Sequence, residues 1–481
     1  MSFVSPSLYA DMIVGRIVPS SHPTIQLMSV PGMSATDFDI LSTGNYAFAL
    51  GDRQISFFDG QKWSLAQEIE KNAEIWDIEF SYPDSAKNAD AWAITSTDSL
   101  YYFNGSHWSK VNNITSILGL SKKTDDTGIE TSNGYVFLIA ETGKRLQGTS
   151  AIVYSVWSPL SNQWSKPKTL KNSYLMSDMG EDAAATYNDI AGAPTCSLFV
   201  YANADSQTPS PEFVQINASG SYALFSSPLL PKFTSEESSE RRFFIDKSGA
   251  YMLLESPDNI TYLWYNHSSI AAGWHATQLP MKPLLPGPLL AGQVASGVAC
   301  NDLDMGNNEM GLSCINTLSK HPKWSDPVTI PGVSLPDDQL YTQSNGTWLS
   351  YTANPPSEKN HDAIFYNMSS EEVTDTDFPG TNFPNLKQLS DKEMLACAYV
   401  NNSLDKLFFY NSDSTAPAWK AIKNSGKFRG CNMSYSDFML TNYGGAQETW
   451  LFNTKYSSNF CRKLKVLRHG HMRAYSSCKG S

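Results

Sequence analysis

Nine times along this chain a short run of aromatic and aliphatic residues closes on Asn, Asp or Ser, and an aromatic residue soon opens another run. The closing residues are Asp59, Asn104, Ser158, Asn217, Asn266, Asn316, Asn367, Asn411 and Asn453. The aromatics that follow are Trp63, Trp108, Trp164, Tyr222, Trp274, Trp324, Phe378, Trp419 and Phe460. Successive closures lie 42 to 59 residues apart. The clearest unit, from Glu74 to Lys110, reads IWDIEFSY, AWAITS, SLYYFNG and HWSKV. Each run is rich in aromatic and β-branched residues, and Pro, Asp, Asn and Gly fill the breaks, which is the pattern of four antiparallel strands joined by short turns.

A period near ~40 to 50 residues is that of four-stranded propeller blades. The sequence therefore predicts an all-β chain: a single β-propeller of four-stranded antiparallel blades, seven to nine in number, over 37–467. Before it stands an N-terminal segment, 1–36, whose Thr24–Val30 is the candidate strand for closing the ring on the last blade. After it comes a basic tail, 468–481. Third strands such as Phe57–Phe58 and Tyr101–Phe103 are apolar on both faces, as a strand must be when its sheet is covered on both sides. Units four and six, and the fourth strand of unit seven around EEVTDTDF, fit the pattern least well.

The closing polar residue and the following aromatic both have structural roles. Asn and Asp side chains bond the backbone of a turn and tolerate left-handed angles, and an aromatic at the start of the fourth strand fills the gap to the next sheet. Asp59, Trp63, Asn104, Trp108, Trp164, Asn266, Trp274, Trp324, Asn411 and Trp419 are read in this way. In the first two units Gly follows at once and Trp three residues later: Asp59, Gly60, Trp63 and Asn104, Gly105, Trp108. This resembles the Asp-box turn of sialidases and related propellers, although that turn has one residue between Asp and Gly. The resemblance implies a turn geometry and no activity. Sialidases need an arginine cluster, whereas this chain has nine Arg, three of them at Arg462, Arg468 and Arg473.

With 481 residues, 41% of them hydrophobic and only 17% charged, the chain can bury a large core and is not read as disordered. A net charge of -12 argues against nucleic acid as a partner. The exception is the end of the chain, where Arg462, Lys463, Lys465, Arg468, Arg473 and Lys479 meet no acidic residue and are read as a solvated strand and tail. The first twenty residues lack the pattern of a secretory signal, and no run reaches transmembrane length. The expectation is a chain without a membrane span, cytoplasmic or exported without that signal. Seven cysteines are read by default as buried thiols, with Cys300 and Cys314, Cys397 and Cys431, or Cys461 and Cys478 as pairs that adjacent strands could join. Nine Asn-x-Ser/Thr sequons are present, several expected by chance in a chain rich in these residues.

No serine elbow, phosphate loop, dinucleotide fingerprint or HExxH occurs. A glycosidase would need carboxylates converging near the axis, for which Asp77, Glu79, Asp178, Glu181, Asp182 and Asp246 are the candidates. NDLDMGNNE, at 301–309, fails the register of a calcium loop and reads as a polar turn between strands. Cys461, His469, His471 and Cys478 match no zinc spacing. Neither a catalytic residue nor a metal or other cofactor is assigned.

In repeat length and aromatic content the chain resembles propeller lectins from about Asp37 to Leu467. In those proteins a sugar lies on an aromatic face between blades while neighbouring polar groups bond its hydroxyls. The resemblance implies non-catalytic recognition of a glycan or glycoprotein. Trp157 and Trp264 are the candidate platforms, since each adds a Trp within a third strand. The alternatives are a protein–protein interaction scaffold and, in third place, a propeller glycoside hydrolase.

Overall fold

The computed structural model describes residues 12–18, 24–33, 38–43, 46–51, 53–82, 89–123, 126–143, 150–175, 184–188, 194–202, 210–225, 242–245, 249–255, 260–266, 274–278, 298–306, 309–316, 323–334, 343–344, 348–353, 361–367, 372–378, 385–388, 393–400, 403–411, 418–422, 450–453, 462–468 and 471–477. Among these the chain is all-β and every strand pairing is antiparallel. The one helix, Ile114–Leu118, is a single turn and a half. No helix among the described residues is long and apolar enough to cross a membrane.

Eight consecutive sheets follow the first eight sequence units. The first is Phe38–Thr43, Tyr46–Gly51, Gln54–Phe58 and Gln67–Glu68, and the second Ile75–Phe80, Ala91–Thr95, Ser99–Phe103 and Trp108–Asn113. The third begins with Asp126–Ser132, Tyr135–Thr142 and Ala151–Ser158, and its last strand is split into Gln163–Trp164 and Lys168–Lys171. In the fourth it is the first strand that is split: Ser173–Leu175 and Ala184–Asn188 both pair with Pro194–Ala202, which Ser210–Asn217 and Tyr222–Phe225 follow. The fifth runs from Arg242–Ile245 to Trp274–Gln278. The sixth has, among the described residues, the strands Val298–Asp304, Glu309–Asn316 and Val328–Ser334. The seventh ends on Glu372–Phe378, which pairs along its whole length with His361–Asn367, so this weakly patterned strand is regular. The eighth runs from Asn385–Gln388 to Lys420–Ala421.

The ninth unit differs from the sequence expectation. Trp450–Asn453 pairs with Met12–Val18, and Arg462–Arg468 forms a hairpin with His471–Ser477, so part of the basic tail is a strand. Thr24–Val30 pairs with Met12–Val18; the N-terminal strand that meets the end of the chain is the earlier one, and Thr24–Val30 lies outside it. The segment 423–449, which holds the first two expected strands of this unit, lies outside the described residues.

From the N-terminal segment to the fourth sheet, successive sheets pack face to face, and apolar residues from neighbouring sheets share each interface. Val30 and Met33 of the N-terminal segment meet Ala47, Ala49, Phe58 and Trp63 of the first sheet. Phe48, Leu50 and Ile55 meet Ile78, Phe80 and Phe103 of the second. Trp92, Ile94 and Leu100 meet Ile129, Val136 and Leu138 of the third, and Phe137, Ile152 and Tyr154 meet Cys196, Leu198 and Val214 of the fourth. The double apolar face of the third strands follows from this stacking: Phe58 points to one interface and Phe57 to the next. Burial of a large apolar side chain is worth ~1.5 to 3 kcal/mol, so the interfaces hold the stack together.

Cys314, a member of one of the pairs that adjacent strands could join, is disulfide-bonded and departs from the default of buried thiols, while Cys196 is a buried free thiol. Asn301–Asp304 and Glu309 of the acidic segment lie in paired strands on either side of a turn at Gly306, where φ is 79°.

Candidate functional site

The repeat residues meet where the third strand of a sheet turns into the fourth. Asp59 Oδ1 accepts from the backbone N–H groups of Gln61 and Lys62 at 2.8 and 2.9 Å. Asn104 Oδ1 accepts from those of Ser106 and His107, both at 3.1 Å. Asn217 Oδ1 accepts from those of Ser219 and Ser221, both at 3.0 Å. The side chain supplies the acceptor that a tight turn lacks, and Gly60 and Gly105 behind it take φ of 96° and 85°, which only glycine adopts without strain. At Ser158 the solution is different: its carbonyl accepts from Asn162 N–H at 2.8 Å, and Asn162 itself takes a φ of 55°.

Beyond the turn, each Trp–Ser dipeptide that opens a fourth strand is followed by one extra residue. In the first sheet Ser64 stands opposite Phe57 and Gln67 opposite Ile55, so Leu65 and Ala66 face Ser56 alone. In the third, Lys166 and Pro167 face Ser155, and in the sixth Asp326 and Pro327 face Ser313. These are β-bulges, where a ladder hydrogen bond is lost and Pro is tolerated. Paired hydroxyls restore what is lost. Ser64 Oγ accepts from Phe57 N–H at 2.9 Å, while Ser56 Oγ donates to the Ser64 carbonyl at 2.6 Å. Ser165 Oγ accepts from Val156 N–H at 3.0 Å, and Ser155 Oγ donates to the Ser165 carbonyl at 2.8 Å. Ser325 Oγ accepts from Cys314 N–H at 3.0 Å, and Ser313 Oγ donates to the Ser325 carbonyl at 2.7 Å. Ser56, Ser155 and Ser313 are buried, so their hydroxyls require these partners. The sequence reading passed over all six serines. Their signal was a Ser three residues before the closing residue, together with Trp–Ser after it.

The aromatics line the seams between sheets. Trp108 of the second sheet lies 5.6 Å from Phe48 of the first, Trp164 of the third 6.0 Å from Trp92 of the second, and Tyr222 of the fourth 6.4 Å from Tyr154 of the third. Trp63 is buried against the N-terminal segment. Trp108 and Trp164 are half-buried, and Tyr222 is 43% exposed, so each of these three seams shows part of an aromatic to solvent. Trp157 is half-buried in the same group, 5.6 Å from Trp92 and 5.7 Å from Trp164. Trp419 is buried against Tyr410 at 5.2 Å, and half-buried Asn411 ends the strand opposite Glu393. Trp324 is half-buried. Backbone register sets Trp264 opposite Tyr251 and His275, Trp274 opposite Tyr265, and Asn266 opposite Gly249; their side chains lie outside the described set.

The carboxylates are spread along the stack. Buried Asp77 accepts from Ile129 N–H of the third sheet at 2.8 Å, and buried Glu141 of the third sheet accepts from Leu175 N–H of the fourth at 3.0 Å. Both stitch neighbouring sheets together. Glu79 is half-buried in the same strand as Asp77, and Asp178, Glu181, Asp182 and Asp246 lie outside the described residues. Glu70, in the link between the first two sheets, takes hydroxyl donors from Thr95 at 2.7 Å, from Thr97 and from Ser99 at 3.4 Å, with Lys110 Nζ at 3.9 Å. Burial acts to raise its pKa, but the hydroxyls and Lys110 outweigh that and hold the carboxyl below its ordinary range. Cys196 is shifted the other way: burial, and then the charge of Glu130, push its thiol well up, which leaves it an inert core residue.

Neither a known protein family nor a curated protein matches the sequence. Among solved structures, TolB from Acinetobacter baumannii overlaps at 11% identity and a TM-score of 0.27, covering 67% of this chain and 80% of its own. Apo AztD from Citrobacter koseri overlaps at 12% identity and a TM-score of 0.37, covering 77% and 96%. The polysaccharide lyase Uly1 overlaps at 10% identity and a TM-score of 0.32, covering 70% and 88%. Overlaps this loose assign neither ligand nor reaction.

Proposed function

We propose that this chain is a non-catalytic binding protein that recognises glycans through shallow sites at the seams between its sheets. The observation that carries the reading is the recurrence of one arrangement: at three successive seams a partly exposed aromatic rests on an aromatic of the preceding sheet, beside a polar turn. An aromatic face takes the apolar face of a sugar ring, and nearby hydroxyls, amides and backbone groups bond its hydroxyls. The proposed platforms are Trp157 and Trp264, with Trp108, Trp164 and Tyr222 as the seam aromatics. Several weak sites on one rigid body give avidity for clustered ligands. The sheets are further proposed to form a single propeller, from residue 37 to 467, closed by the pairing of Met12–Val18 with Trp450–Asn453.

A glycan-array screen tests the reading, with a Trp157→Ala, Trp264→Ala double variant as control. The expected result is saturable binding to a related set of glycans, lost in a variant that keeps the native thermal transition. A blank array with folded protein would overturn it. A second reading, a scaffold for a protein partner, is favoured by exposed apolar residues on the fourth strands and turns: Leu160 is 87% exposed, Leu65 69% and Leu224 50%. The fully buried core of a protein interface is more apolar than the rest of the surface, and a blank array would move the assignment to that class.

A further inference from the structure

Three of the nine sequons have described side chains, Asn104, Asn113 and Asn217, and all three are exposed. At two of them the sequon hydroxyl bonds the acceptor amide itself. Ser106 Oγ donates to Asn104 Oδ1 at 2.8 Å, and Ser219 Oγ donates to Asn217 Oδ1 at 2.7 Å. Backbone N–H groups of the same turns hold that oxygen as well. Each amide is thus held through Oδ1, and its Nδ2 belongs to an exposed side chain; that of Asn104 lies 3.4 Å from Nε2 of exposed His107 in the same turn. Asn113 is arranged otherwise. Thr115 gives its hydroxyl to Asp98 Oδ2 at 2.7 Å, and the chain passes directly into the helix Ile114–Leu118.

The disulfide supplies an independent observation about the compartment. Cys300 stands directly opposite Cys314 on the neighbouring strand. Cys314 directs both its N–H and its carbonyl to Ser325 on its other side, so its pair with Cys300 is of the kind that exchanges no backbone bonds. In such pairs the Cα atoms lie ~4.5 Å apart, within disulfide reach. Disulfides persist in oxidising compartments, and Asn-x-Ser/Thr acceptors are used on surface turns of secreted proteins.

We propose that Asn104 and Asn217 are N-glycan acceptors in a chain that matures in an oxidising compartment with Cys300 and Cys314 joined, and that Asn113 is left unmodified. The donor is a polyprenyl-diphosphate-linked oligosaccharide. Its anomeric carbon forms a bond to Nδ2 as its bond to the diphosphate oxygen breaks; the diphosphate leaves with the electron pair, and Nδ2 gives up one proton. Both acceptors stand on exposed turns, so the added sugar displaces no core residue. The turn of the third sheet, Ser158 to Gln163, carries no sequon.

Peptide mapping of the chain purified from its native source tests the proposal, before and after treatment with a peptide-N-glycosidase, which leaves Asp in place of each modified Asn. The expected map shows Asp at 104 and 217, Asn at 113, and, without reduction, a peptide linking Cys300 to Cys314. Unmodified Asn at 104 and 217, or free thiols at 300 and 314, would overturn it. This outcome is independent of the glycan-array result, because it reads attached sugar and not bound sugar.

Discussion

The second and third sheets both place a Trp–Ser dipeptide at the start of the fourth strand, yet they handle the bulge behind it in different ways. In the third sheet the ladder breaks after Trp164, and Ser155 and Ser165 exchange hydroxyl bonds for the missing backbone bonds. In the second, buried Tyr101 occupies the place of Ser155, Lys110 stays paired with it, and the extra residue is Val111. The extra residue falls at the same place in both. The bulge therefore belongs to the fourth strand, and the hydroxyl pair is one of two ways of securing it. Where the fourth strand opens without Trp–Ser, as in the fourth sheet with Tyr222–Ala223 and the fifth with Trp274–His275, that strand pairs with the third in unbroken register. A bulge bends and twists its strand, so these sheets present their outer edges differently, and the seams beside them need not be equivalent.

The largest effect should come from Trp164→Ala, which removes a ring packed on both Trp92 and Trp157 and should cost ~3 to 5 kcal/mol in a urea titration. A cost below that of a surface substitution would mean that the seam is loosely packed. The comparison between the two sheets is sharpened by serine deletions. Ser155→Ala leaves the Ser165 carbonyl without its donor and should cost ~1 to 3 kcal/mol. Ser109→Ala in the second sheet touches an exposed hydroxyl and should stay within ~0.5 kcal/mol. Equal costs would break the distinction drawn here. At the turns, Asn104→Ala should cost ~1 kcal/mol, since two backbone donors lose their acceptor, whereas Ser158→Ala should be near neutral because only its carbonyl closes the turn.

The smallest effect is that of pH at Glu70, in the link between the first two sheets. Its folded pKa is lowered, so its contribution is present above the ordinary value of 4.5 and is lost as pH falls through the folded value. The stability difference between the wild type and Glu70→Gln should therefore be constant at neutral pH and shrink below pH 4.5. A difference that grows on acidification would contradict the geometry around this carboxyl.

Much of the architecture was legible because it rests on period. Four strands per unit, the turn role of Asp59 and Asn104, and the double apolar faces of the third strands all follow from short-range pattern. Legibility failed where partners are distant in sequence. Nothing local to MIVGRIV tells that it meets Trp450–Asn453, and the ninth unit reads as a sheet of its own although its two described strands pair elsewhere. The serine pairs were missed for another reason: a small polar residue inside an apolar run looks like a defect until its partner across the bulge is known. The candidate site was the least legible part. An aromatic that plugs a seam and one that offers a face to a ligand carry the same signal, and only partial exposure, as at Tyr222 beside buried Trp63, separates them.

Repeated seams, if they bind, must bind more than once. Isothermal titration of the full chain with the monovalent form of the glycan selected on the array measures that directly. More than one site per chain is predicted. A stoichiometry of one would contradict the account, since a unique pocket owes nothing to the repeat.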